Sequence, residues 1–270
     1  MPRHLAILLV VAALAACAAP KPPQAPREER PPEDISASFS RQRAIQTALR
    51  EWRLFGSPIH DEAPGSHLPL EADEMPSRQD GLWQRVGDYW WVSQKPGSRA
   101  SLWTGKTDAN GDEFPAEDAD RYAWSAAFIS YVMRVAGAGN RFPYAPSHAT
   151  YINAALTTGT RGEANRLAHD WAIVAHRPEE YAPQSGDLIC TGRDQATGIR
   201  FDDLPARFPA HCDIVVGDEP GRLTVIGGNV AASVSLKHVP VTKSGRLADA
   251  NGVVLDDRYP WFVVLQVLYD

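Results

Sequence analysis

Between Ala123 and Ala136 the apolar residues Trp124, Ala127, Phe128, Tyr131, Val132 and Val135 recur at offsets 0, 3, 4, 7, 8 and 11. That spacing draws one stripe down an α-helix and demands a surface to bury it. Asp120 is the expected N-cap, and Gly137 and Gly139 end the pattern. The last third of the chain changes period. Pro183-Gln-Ser-Gly-Asp187 reads as a turn, followed by extended segments near 186–191, 211–217, 222–227, 233–239 and 261–268. Asp218-Glu-Pro-Gly221 joins two of them as a hairpin would. Helices first and antiparallel strands afterwards predict an α+β domain whose sheet covers the stripe.

Ile45, Ala48, Leu49 and Trp52 fall at helical spacing, so 37–55 is expected to be a helix ended by Gly56. Residues 56–80 and 104–118 are polar and turn-rich, and are expected as loops. The aromatic segment 81–94 fits a helix and an extended strand equally well. A shorter helix is expected from Ser147 to about Leu156, capped by Ser147. No internal repeat is visible, and 36–270 reads as one domain with a helical N-terminal extension.

At the N-terminus, Arg3 and His4 precede an apolar run from Leu5 to Ala16. The run is short of the roughly 20 residues that span a bilayer and has the layout of a signal peptide. It ends in Leu14-Ala15-Ala16-Cys17, which resembles a bacterial lipobox. That resemblance implies a leader over 1–16, a lipidated Cys17 and, from Ala18, sorting to the outer membrane with the body facing the periplasm. The alternative is an ordinary cleaved leader. Residues 17–35 are rich in Pro and charge and read as an extended tether. Removing 1–16 takes away Arg3 alone, leaving 26 Lys+Arg against 33 Asp+Glu, a formal −7 in place of −6. An acidic body without a basic run is not expected to bind nucleic acid, and lipid is the only membrane anchor implied.

With Cys17 lipidated, Cys190 and Cys212 remain in an oxidising compartment. Both lie in strand-like segments, so a disulfide between them is expected. Two buried thiols, or one catalytic thiol, are the alternatives. Asp108, Asn110 and Asp112 alternate like the start of a calcium loop, but Glu113 and Ala119 stand where such a loop needs Gly and Glu. No zinc spacing, phosphate loop or dinucleotide fingerprint occurs, so neither a metal nor a cofactor is expected.

Three polar residues stand where acyl-transfer chemistry can use them. Ser125 opens the striped helix, whose N-terminus offers free N–H groups and partial positive charge. His211 opens a strand and is the candidate base, and Asn229, in Ile226-Gly-Gly-Asn229, is the candidate orienter of its ring. Each has a plain alternative: a helix-terminal serine, a strand-edge histidine, a turn asparagine. The candidate substrate contacts are His148 in the next helix, Trp124 beside the nucleophile and Arg193, which suits a carboxylate. An exposed first-turn histidine and a core tryptophan are the alternatives for the first two.

Trp124-Ser125-Ala126-Ala127-Phe128, Pro183-Gln-Ser-Gly186-Asp187-Leu188, His211-Cys212-Asp213-Ile214-Val215 and Gly228-Asn229 occur in that order. The order resembles the papain-like cell-wall hydrolases of the NlpC and CHAP kinds. The phrases WSAAFIS, GDLIC, HCDIVV and GGNV, over roughly 80–270, also resemble the bacterial domain of unknown function 2272. The resemblance implies a papain-like domain that cleaves amide bonds in peptidoglycan stem peptides, with Ser125, His211 and Asn229 as its catalytic residues. Here a serine replaces the catalytic cysteine. A hydroxyl is far less acidic than a thiol of pKa about 8.5, so Ser125 needs a general base during attack. Without one, the same cleft is expected to bind peptidoglycan or a protein partner.

Overall fold

The computed structural model describes residues 38–66, 70–94, 97–160 and 171–270. The leader expected over 1–16, Cys17 and the tether expected over 17–35 lie outside them.

Helix α1, Arg41–Leu54, starts where the Ser40 hydroxyl accepts the N–H of Arg43 at 3.3 Å. Its most buried positions are Ala44, Thr47, Ala48 and Glu51. The buried face is therefore turned from the expected Ile45, Leu49 and Trp52, which lie at its margin. The aromatic segment folds as helix α2, Leu82–Val92, which buries Val86, Tyr89 and Trp90. A buried ion cluster explains the rotation of α1. The Glu51 carboxylate accepts from Arg85 Nε at 2.7 Å and Nη2 at 2.6 Å, and from the Tyr89 hydroxyl at 2.7 Å. Burial alone would raise the Glu51 carboxyl; Arg85, with Tyr89 and Arg50, outweighs it and holds it below its ordinary range.

Helix α3, Ser125–Val135, carries the expected stripe and is buried from Ser125 to Met133. Its N-cap is Trp124, with no side-chain hydrogen bond, and not Asp120. Asp120 sits in a 3₁₀ turn over Ala116–Tyr122, because the chain makes one tight turn before the helix begins. Helix α4, His148–Thr160, starts as expected and runs one turn further. Among the described residues no helix is long and apolar enough to cross a membrane.

Six strands follow: β1 Ile173–His176, β2 Leu188–Gly192, β3 Ala210–Glu219, β4 Arg222–Val230, β5 Ser233–Pro240 and β6 Trp261–Val267. They form one antiparallel sheet in the order β1-β6-β2-β3-β4-β5. The expected hairpin joins β3 to β4, with Glu219 opposite Arg222. Strand β1 was not expected, since four residues are too few to display a period. The fold is thus α+β.

Alternation along the strands divides the core. Leu188, Cys190, Cys212, Ile214 and Ile226 face the helices, while Ile189, Val215, Val225 and Trp261 face a second apolar layer. Cys190 lies directly opposite Cys212 in the β2–β3 register, and the two form the expected disulfide. Neither sulfur is a free thiol.

Asp187, in the signature turn before β2, has an architectural task. Its carboxylate accepts from the N–H groups of Gln184 and Val267, both at 3.0 Å, and from the Tyr181 hydroxyl at 3.0 Å. Burial raises its pKa against those bonds. The preceding Gly186 has φ +98°, and a Cβ there would stand 2.9 Å from Tyr269 and Arg41.

Candidate functional site

Ser125 is the first residue of α3 and is 4% exposed. The first intrahelical bond at that end runs from Phe128 N–H to the Trp124 carbonyl at 2.9 Å. The N–H groups of 125–127 therefore precede the helical ladder, where partial positive charge collects.

The imidazole that meets Ser125 is His148, not His211. Ser125 Oγ lies 2.7 Å from His148 Nε2, and His148 Nδ1 is hydrogen-bonded to the Tyr151 hydroxyl one turn along α4. His148 is 4% exposed, against the expectation of an exposed first-turn histidine, because its ring is enclosed by Ser125, Tyr151 and His211. Burial, with the nearby Arg193 guanidinium, drives its pKa well below the ordinary value. It is a neutral imidazole at pH 7. Burial likewise raises the Tyr151 phenol, which keeps its proton.

His211 stands 5.6 Å from His148, ring centre to ring centre, and belongs to a different chain of hydrogen bonds. Its Nε2 is 2.8 Å from Asp213 Oδ1, and Asp213 Oδ2 is 2.7 Å from the ammonium of Lys237. On the other side, Arg193 Nη2 lies 2.9 Å from His211 Nδ1. The polarity of this chain is determined. An ionised carboxylate only accepts, so Nε2 carries the proton, and a guanidinium only donates, so Nδ1 offers its lone pair. Both nitrogens of His211 are engaged. Burial and Arg193 lower its pKa to about 3, against the pull of Asp213. Burial alone would raise Asp213, but Lys237 and His211 hold it far below the usual carboxylate range. Burial lowers Lys237, with Asp213 opposing.

Asn229 joins neither imidazole: among the described residues no hydrogen bond links it to His211. It lies where the β4–β5 register shifts, with φ +56°. The residue that orients His211 is Asp213, which the sequence reading left out. The signal was present, because residues two apart on a strand share a face. Lys237 and Tyr151 carried no such local signal. The two glycines before Asn229 make room for the site. A Cβ on Gly227 would overlap Asp213 Oδ1, and one on Gly228 would lie 2.5 Å from Phe128 Cβ. These glycines let β4 pass close to the His211–Asp213 pair on one face and to α3 on the other.

Two neighbouring clefts open on this cluster. The larger, about 780 Å³, is walled by Phe55, Phe114 and Trp124. The smaller, about 620 Å³, reaches His211 and Lys237. Arg193, Asn229 and Tyr259 line both. Trp124 is thus at once core and cleft wall, whereas Ser125 and His148 lie behind that wall. Among the described residues no group of three or more His, Cys, Asp or Glu side chains converges as metal ligands do. Asp108 instead closes its own turn, accepting the Asn110 N–H at 2.7 Å.

Residues 77–267 match the family of uncharacterized proteins conserved in bacteria termed DUF2272. The chain belongs to that family. The match takes in α2, α3, α4 and all six strands, hence every residue of the two hydrogen-bonded chains. No curated protein and no solved structure matches the chain.

Proposed function

We propose that the protein is a cell-envelope lipoprotein with a papain-like domain that hydrolyses amide bonds in peptidoglycan stem peptides, using Ser125 as nucleophile. One observation carries the reading: a hydroxyl at the N-terminus of a buried helix lies 2.7 Å from an imidazole kept neutral by burial. With its proton on Nδ1, donated to Tyr151, His148 offers Nε2 to the Ser125 hydroxyl. Ser125 Oγ then bonds to the amide carbon while its proton passes to His148. The N–H groups at the start of α3 face the developing oxyanion. Collapse breaks the C–N bond, His148 returns the proton to the leaving amine, and water releases the acyl group by the reverse route. This arrangement departs from the family resemblance, since the base comes from α4 and not from β3.

The compartment is part of the proposal. It rests on the leader and Cys17, which point to the outer membrane with lipid as the sole anchor and with peptidoglycan within reach of the tether. A second reading is a catalytically inactive relative that binds peptidoglycan or an envelope protein through the same clefts. It is favoured by Ser125 lying behind the cleft wall. Digestion of purified sacculi by the full-length protein, read by mass spectrometry, separates the two. New peptide fragments from wild type and none from Ser125→Ala support the hydrolase. No fragments from folded wild type favour the binder.

A further inference from the structure

The hydrogen-bonded chain through His211 ends on Arg193, a cation with no carboxylate in salt-bridge contact among the described residues. Lys237 is paired with Asp213 at 2.7 Å, and His211 is neutral. Arg193 spends one N–H on His211 Nδ1 and has no carboxylate within 4.0 Å among the described residues. Within contact distance the cluster holds two cations and one carboxylate, and Asp194 and Asp120 act on Arg193 only from further away. Arg193 is half-buried, and a carboxylate meeting its guanidinium fork satisfies two N–H donors at once. Arg193 stands where the charge is useful, on the wall shared by both clefts, beside Asn229 and the Tyr259 ring. The chain from Lys237 also fixes its direction, since each member has one permitted hydrogen-bond role.

We propose that Arg193 anchors an anion subsite at the junction of the two clefts, and that its ligand is a carboxylate carried by a short peptide. The assignment deepens the peptide-hydrolase reading and rests on it for the peptide. Charge on the rest of the wall selects the class. Glu74, Glu117 and Asp120 line the larger cleft, so a polyanion such as a phosphate ester or nucleic acid meets repulsion there. A monoanionic carboxylate needs one cation and finds one. Lys237, Asp213 and His211 are positioning residues for Arg193.

The test uses full-length protein carrying Ser125→Ala, so that no ligand turns over. The probes are the stem peptide L-alanyl-γ-D-glutamyl-L-lysyl-D-alanine as free acid, the same peptide with both carboxyls amidated, and inorganic phosphate. Calorimetry or ligand-observed NMR reads the affinity. The free acid is expected to bind about tenfold tighter than the diamide, and adding Arg193→Gln should bring it to the diamide level. Arg193→Lys, which keeps the charge and loses the fork, should fall between them. Equal affinity for acid and diamide overturns the proposal without any variant, as does a preference that survives Arg193→Gln in a folded protein. Phosphate binding as tightly as the free acid overturns the carboxylate assignment. Sacculus digestion by the wild type without acid–diamide discrimination overturns the subsite and leaves the hydrolase reading. Discrimination without digestion does the reverse.

Discussion

A side chain on Gly227 would occupy the space of the Asp213 carboxylate: a Cβ there overlaps Oδ1 and stands 2.8 Å from His211 Nε2. The close pass of β4 over β3 thus holds together the buried chain from Lys237 to Arg193. Gly227→Ala should destabilise the protein by roughly 3 kcal/mol, through overpacking and the loss of a buried pair. Gly217→Ala, whose Cβ would meet Thr224 at an ordinary 3.5 Å, is the control and should change stability by less than about 1 kcal/mol. Urea unfolding of both variants checks the difference.

Two imidazoles compete for the role of base, and their partners distinguish them. His148→Ala should lower sacculus digestion by about 10²-fold or more, as loss of a general base does. Asn229→Ala, which removes no hydrogen bond to either ring, should change it by less than about threefold. Equal loss in both variants restores the arrangement expected from the sequence, with His211 and Asn229 as partners. Initial rates of fragment release provide the measurement.

Stability should fall in mild acid. The folded His211 has a pKa of about 3 against 6.5 in the unfolded chain, so between those values the unfolded state binds the extra proton. The contribution is complete above about pH 6.5 and is lost as pH falls toward 3, at a slope of roughly 1.4 kcal/mol per pH unit. His148, lowered in the same direction, adds to the slope. Unfolding free energies at pH 7, 6 and 5 should be steeper for wild type than for His211→Gln. A flat wild-type profile contradicts the neutral buried imidazoles.

Neither Cys190 nor Cys212 should react with iodoacetamide in denatured, unreduced protein, and both should react after reduction. Their sequence separation of 22 corresponds to a loop whose closure is worth about 3 kcal/mol in the entropic account. Cys190→Ala with Cys212→Ala should lower stability by that order, read by thermal unfolding. Digestion at a temperature where the variant stays folded should persist, because neither sulfur is a hydrogen-bond partner of Ser125 or His148.

Glu51→Gln should cost about 3 kcal/mol, because it leaves Arg85 and two tyrosine hydroxyls around a neutral amide. Sacculus digestion by the folded fraction should be unchanged, since the α1–α2–α3 cluster touches neither imidazole. A thermal melt and the rate per folded molecule test the two halves separately.

Much of the architecture was readable because its signals are local. The offsets through Val135 are a property of one helix, and they describe α3. Alternation and turn residues outlined β2 to β6 in the same way. Cysteine parity anticipated the Cys190–Cys212 bridge, which the β2–β3 register then placed across one rung. Where the local signal failed, the reason is physical. Strand β1 has four residues and exists through its pairing with β6. The α1 stripe was misjudged by one position because its buried face is set by Glu51, whose burial depends on Arg85 from 34 residues away.

The candidate site divides along the same line. By itself the sequence determined that a serine opens a buried helix, that His211 and Asp213 share one face of a strand, and that an arginine follows the Gly-Asp-Leu strand. These follow from helical and strand periods, which act over a few residues. Only the tertiary structure decided that Ser125 meets His148, 23 residues on, and that Lys237 and Arg193 close the two ends of the His211–Asp213 pair. Those contacts arise where the first residue of α4 meets the first residue of α3 and where β3, β4 and β5 align. Both are set by the burial of whole faces and not by any neighbour in the chain.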